Sequence, residues 1–235
     1  QIQFASCFSK LMEYPFIEGI KGFPNVVPVL KRSQETSNFG GIWHSDTAYL
    51  PEPPMGTILY AKELPPIGGD TLFANMYKAF DTLSDGMKEI LLNLKAINSA
   101  ANQEVSDTRA DRLEESGKDL SNIQTISTHP VIRTHPETGR KSLYVNKAHT
   151  VRFEGMTKEE SAPILSYLYE HQVRQEFVCR FRWTNGAVAF WDNSCFVDTS
   201  DAAEHPLGVV LGGRRITKKH TKEAQHSERE AKELI

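Results

Sequence analysis

A chain of 235 residues, 39 % hydrophobic and 24 % charged, can bury one sizeable core and is expected to form a single domain over 1–235, with neither disorder nor a fibrous repeat. A formal charge of -3 and a pI near 6.3 provide no basic field for nucleic acid and no polybasic strip for a membrane, so a small molecule is the expected partner, with self-association left open. The widely spaced Cys7, Cys179 and Cys195 form no CxxC pair. No apolar run approaches the roughly 18 residues of a membrane helix and no signal-peptide pattern opens the chain, so a reducing cytoplasm is the expected compartment.

The chain opens at Gln1 with Ile2, Phe4, Cys7, Phe8 and Leu11 already at helical spacing, as expected if an N-terminal segment were missing. Residues 26–30 form a short β-prone run. The glycine-rich stretch 38–41 then leads into Trp43-His44-Ser45-Asp46-Thr47, whose alternation predicts a strand or strand end. Residues 57–64 read as another strand, closed by Pro65-Pro66 and Gly68-Gly69. Residues 75–96 have helical spacing with a break near Ser84, whereas 102–125 are polar and weakly periodic, as in a surface insertion or lid. Residues 130–133 and 142–146 pair as a hairpin across the turn at 135–139. Thr157 and Glu160 form a capping box for a helix running to about Arg174, with Ile164, Leu165, Leu168 and Tyr169 as its apolar stripe. Residues 177–183 alternate, Asn185-Gly186 is a type I′ turn signal, and 187–191 are expected as the return strand. The last residues, 216–235, form a polar tail. Many short strands with few helices predict a mainly β barrel or sandwich with flanking helices.

His44-Ser45-Asp46 carries the chemistry. On an extended segment residues i and i+2 share a face, so an imidazole nitrogen and a carboxylate oxygen can meet one cation. Such a pair supplies two of the three ligands of a 2-His-1-carboxylate triad, which leaves metal positions open. The bare pattern is weak, since chance gives roughly 0.3 His-x-Asp occurrences in a chain of this composition. The other histidines read as structural: His129 and His135 at hairpin ends, His171 on the helix, His220 and His226 in the tail.

The surrounding text resembles the taurine and 2,4-dichlorophenoxyacetate (TauD/TfdA) family of Fe(II)- and 2-oxoglutarate-dependent dioxygenases. Trp43-His44-Ser45-Asp46-Thr47 matches that family's W-H-x-D-x-[ST] box. Ala61-Lys62-Glu63-Leu64-Pro65 with Gly68-Gly69-Asp70-Thr71, the hairpin from His129 to Asn146, and Trp191-Asp192-Asn193 match later segments in order. The resemblance implies a double-stranded β-helix, or jelly roll, using Fe(II), 2-oxoglutarate and O2 to hydroxylate a small organic substrate with release of succinate and CO2. It makes His44 and Asp46 metal ligands and Thr71 a donor to the distal carboxylate of 2-oxoglutarate. Arg215 matches the inner arginine of the family's R-R-x-x-x-R run, and Lys219 stands where its last arginine clamps that carboxylate. A lysine there keeps the charge and loses the bidentate fork. Tyr14 and His149 fall in substrate-contact columns. The family's taurine-holding His and Tyr columns hold Tyr14 and Ile17, so the expected substrate is not taurine but another small molecule, anionic or more apolar.

The family's third ligand is a histidine five residues beyond W-D-N, where this chain has Asp198. Counting back from the arginines instead brings His205 almost into register. Because this chemistry prefers a second imidazole, and because Asp198 beside Asp46 would suffer like-charge repulsion and turn outward, His205 is the expected third ligand. Two rival readings stay open: a non-catalytic jelly-roll binding protein that has lost this ligand, and a metal-dependent hydrolase using His44, Asp46 and a bound water.

Overall fold

The computed structural model describes residues 1–30, 40–65, 67–102, 105, 123–200 and 207–212. Strands β1 (Val26–Val29), β2 (Gly56–Tyr60), β10 (Val188–Asp192) and β12 (Leu207–Gly212) form one antiparallel sheet in the order β1-β12-β2-β10. A second sheet has the order β11-β3-β9, from β3 (Thr71–Asn75), β9 (Val178–Phe181) and β11 (Phe196–Ser200). Neighbours far apart in sequence, such as β2 with β10 and β3 with β11, mark the double-stranded β-helix expected from the sequence. A third sheet, β5-β4-β8, combines β4 (Lys95–Ser99), β5 (Ile126–Pro130) and β8 (Thr150–Phe153), and β6 (Ile132–Thr134) pairs with β7 (Lys141–Leu143).

Four helices flank the sheets among the described residues: α1 (Ile2–Ser6), α2 (Met76–Asp81), α3 (Asp85–Leu92) and α4 (Lys158–Gln172). Each of the last three begins where a short polar side chain satisfies a free backbone N–H. Asn75 accepts from Lys78, Ser84 from Met87, and Thr157 from Glu160, whose carboxylate in turn accepts from the Thr157 N–H. The α4 capping box is therefore as predicted, and Leu165 and Leu168 of its apolar stripe are buried in one cluster with Phe153, Val131, Leu143, Leu91 and Met76. No helix among the described residues is long and apolar enough to cross a membrane.

Three local expectations change. Helical structure in 75–96 stops at Leu92, and Lys95 and Ala96 begin β4, where Ala96 is buried opposite His129 and Phe153. Among the described residues the segment 43–47 makes only one β-bridge, His44 with Asp198, before Thr47 turns the chain with φ 49°. Residues 187–191 do not return along β9. Around Gly186 (φ 82°) the chain instead bonds to Ala61, and β10 pairs with β2 in the other sheet. Alternation encodes which face is buried, not which neighbour a strand chooses. The hairpin expected at 130–146 forms, with Ile132 opposite Leu143 and Thr134 opposite Lys141. Most of the insertion at 102–125, and the whole tail at 216–235, lie outside the described residues.

Candidate metal centre

His44 and Asp46 stand between the two main sheets. On one side, the N–H of His44 donates to the Asp198 carbonyl (3.0 Å) and the Asp198 N–H to the His44 carbonyl (2.9 Å), which fixes both side chains opposite one another. On the other, Thr57 of β2 donates its hydroxyl to Asp46 Oδ2, and Asn193 Nδ2 donates to Thr57 Oγ1 at 2.9 Å. Ser45, between the two, donates to the Asn193 carbonyl at 2.7 Å. The chain can pass this close because Gly40 (φ 77°) lies against the imidazole: a Cβ there would sit 3.3 Å from His44 Cε1.

His44 Nδ1 lies 2.8 Å from the Ile42 carbonyl, a contact only an N–H can satisfy. That bond orients Nε2 toward the carboxylates, the arrangement that prepares an imidazole for a metal. Nε2 is 3.3 Å from Asp46 Oδ1 and 3.9 Å from Asp198 Oδ2. Burial opposes charge on His44, but the Asp198 and Asp46 carboxylates outweigh it and raise its pKa to about 10. Burial pushes the Asp198 carboxyl up to about 7 against the attraction of His44, with the Asp46 charge adding a smaller repulsion. For Asp46, burial is outweighed by the hydrogen bond and charge of His44, by Thr57 and by the charge of His149, so its pKa is lowered.

Asp198 is 5 % exposed, and its Oδ1 is buried without a hydrogen bond among the described residues, although the Trp191 indole favours its charge. The sequence expectation that Asp198 turns outward is thus incorrect: its backbone is locked to His44, and its strand register points it inward. Two ligands of one cation at cis positions, each at about 2.1 Å, lie about 3 Å apart, so an imidazole and two carboxylate oxygens at these separations suit a first-row dication after small shifts. As they stand, no three ligating side chains among the described residues close on a single point.

Thr71 shares the face of Asp198, since Asp198 lies opposite Phe73 and Ser200 opposite Thr71 in the same ladder. Thr71 is 1 % exposed and accepts a hydrogen bond from Trp183 Nε1 at 3.0 Å, which leaves its own proton to donate. Phe73 packs on Trp191 of the opposite sheet with ring centroids 5.1 Å apart, giving the face an apolar wall. His149 is buried, its backbone held by Asn146 Oδ1 (2.9 Å) and its ring 5.0 Å from that of Tyr49. Tyr14 lies farther along the same aromatic series, through Phe16 to Tyr49, inside a buried cluster rather than at an open mouth. His205, Arg215 and Lys219 lie outside the described residues.

The other described histidines are structural. His129 Nε2 lies 2.9 Å from the Leu50 carbonyl, His135 Nε2 is 2.7 Å from Asp192 Oδ2, and His171 Nε2 is 2.8 Å from the Ala79 carbonyl. Sequence reasoning missed Thr57 and Trp183 as supports and gave Asn193 no role. The W-D-N box was visible, but its contact with β2 depends on strand pairing across the two sheets.

A model of the family described as "Taurine catabolism dioxygenase TauD, TfdA family" matches residues 1–197. An alpha-ketoglutarate-dependent sulfonate dioxygenase of Saccharomyces cerevisiae is 32 % identical over 160 residues, covering 68 % of this chain and 37 % of the yeast protein. An alpha-ketoglutarate-dependent dioxygenase of Penicillium expansum, cnsM, is 33 % identical over 205 residues, covering 82 % of this chain and 55 % of its own length. The chain therefore spans about half, or less, of these relatives. Among solved structures, AAD-2 in complex with Mn(II) and N-oxalylglycine superposes with a TM-score of 0.66 at 25 % identity, covering 82 % of this chain and 71 % of that one.

Proposed function

This chain belongs to the taurine catabolism dioxygenase TauD, TfdA family, and from that premise we propose that it is a Fe(II)- and 2-oxoglutarate-dependent dioxygenase that hydroxylates a small organic substrate. The observation that carries the reading is the His44–Asp46 pair, oriented by the Ile42 carbonyl and by Thr57, on one face with the buried Asp198 and Thr71. His44 and Asp46 would hold the iron. Bound there with 2-oxoglutarate, ferrous iron supplies the oxidation, in which O2 is consumed, 2-oxoglutarate gives succinate and CO2, and one oxygen atom enters a substrate C–H bond.

The protein's contribution is orientation and exclusion of water. Asn193 holds Thr57, and Thr57 holds the Asp46 carboxylate against rotation. With its acceptor site filled by Trp183, Thr71 directs its hydroxyl proton to an anion, which suits the distal carboxylate of 2-oxoglutarate. By the family resemblance, Arg215 and Lys219 supply that carboxylate's positive charge. Phe73 and Trp191 keep the face dry. His149, with Tyr14 behind it in the aromatic series, is assigned to the substrate side, where an anionic or apolar small molecule fits. The N-oxalylglycine held by AAD-2 is an isostere of 2-oxoglutarate and supports the cosubstrate assignment. The reading as a non-catalytic jelly roll is disfavoured, because the matched family model and the relatives named above are those of alpha-ketoglutarate-dependent dioxygenases.

Calorimetric titration of 2-oxoglutarate into the Mn(II)-loaded chain tests the cosubstrate directly. Binding is expected only with metal present, and Thr71→Val, which keeps the shape and removes the donor, is expected to weaken it by roughly tenfold, the value of one hydrogen bond to a charged group. Equal affinity in Thr71→Val would remove Thr71 from the site.

A further inference from the structure

We infer that Asp198 is the third protein ligand of this centre, so that the chain holds its dication with one imidazole and two carboxylates. The inference rests on the metal-centre reading above and departs from the family pattern of two imidazoles and one carboxylate. Reciprocal backbone bonds of 3.0 and 2.9 Å fix Asp198 opposite His44, so neither side chain can leave the face without breaking the bridge. The carboxylate is buried, Oδ2 is 3.9 Å from His44 Nε2, and Oδ1 is unsatisfied among the described residues. A buried carboxylate oxygen with no donor is costly unless a cation or a donor arrives. The donor separations at Nε2, 3.3 and 3.9 Å, are within about 1 Å of the cis spacing of ligands on a first-row dication.

Two carboxylates and a neutral imidazole cancel the charge of a dication, whereas the family's triad leaves one positive charge for the incoming dianion. The Asp198 centre therefore holds oxygen-preferring ions such as Mn(II) comparatively well and attracts 2-oxoglutarate less strongly than its His counterpart.

The test is anaerobic titration of Mn(II), and separately of Fe(II), into the full chain and four variants, with thermal melting to verify folding. Asp198→Asn, nearly isosteric, is expected to weaken Mn(II) binding at least about tenfold, as loss of even an outer-shell partner does, and His205→Ala to leave it unchanged. Asp198→His is expected to shift the Fe(II)-over-Mn(II) preference toward iron by roughly tenfold and to tighten 2-oxoglutarate binding. Wild-type Mn(II) affinity in Asp198→Asn, or a loss in His205→Ala matching that of His44→Ala, overturns the assignment. Should Asp198→Asn fail to fold, an unchanged metal preference in Asp198→His overturns it instead. If His44→Ala also binds Mn(II) as the wild type does, the metal-centre reading itself fails; if only the Asp198 variants are silent, only this inference does.

Discussion

Replacing Asp46 with Ala will weaken binding of Fe(II) or Mn(II) by at least about 100-fold, the upper end of what loss of an outer-shell partner causes, because it removes a ligand rather than a support. The carboxylate is aimed by Thr57, which Asn193 steadies, and it lies 3.3 Å from the imidazole nitrogen that shares the cation. Removing it leaves the dication with one imidazole and the charge of Asp198. In the metal-free fold the change removes the His44 attraction and the Thr57 hydrogen bond that lower the Asp46 pKa, partly offset by relief of the repulsion on Asp198, so a modest fall in melting temperature is expected. Anaerobic calorimetry alongside thermal melting separates the two effects. A modestly lowered melting temperature without metal, together with a collapsed metal affinity, is the expected pair of results; wild-type affinity would show that Asp46 is not a ligand.

The second large effect is on stability. Phe153→Ala is expected to cost about 3–5 kcal/mol, a substantial part of a typical domain's 5–15 kcal/mol. Phe153 is fully buried where β8 meets α4, its N–H donates to Ser161 Oγ at 3.0 Å, and its ring belongs to the cluster that includes Leu165, Leu168 and Val131. Neighbours anchored in two strands and a helix cannot collapse into the space, so the cavity term adds to the lost transfer energy. Urea denaturation of the metal-free chain measures it. A midpoint within error of the wild type would mean that this cluster does not carry the fold.

How far the sequence could be read depended on how local each signal was. The α4 cap was legible because Thr157 and Glu160 bond to each other's backbone within one turn. The pairing of 130–133 with 142–146 was legible because a short turn joins its strands. The destination of β10 was not, because Asn185-Gly186 encodes a turn and says nothing of β2, more than a hundred residues earlier. The same limit governed the site. His44 and Asp46 could be recognised from their shared face and matched box, but the inward aim of Asp198 follows from its pairing with His44 across the fold, and repulsion alone predicted the opposite. Trp183 could not be tied to Thr71 before β9 was known to lie beside β3.

An iron centre on the His44–Asp46 face that consumes 2-oxoglutarate must form succinate when the chain is supplied with Fe(II), 2-oxoglutarate and O2, and the decisive comparison is with His44→Ala. Succinate is expected to appear with matching oxygen uptake, dependent on Fe(II) and lost in His44→Ala; equal succinate production in wild type and His44→Ala would show that this face is not the iron centre.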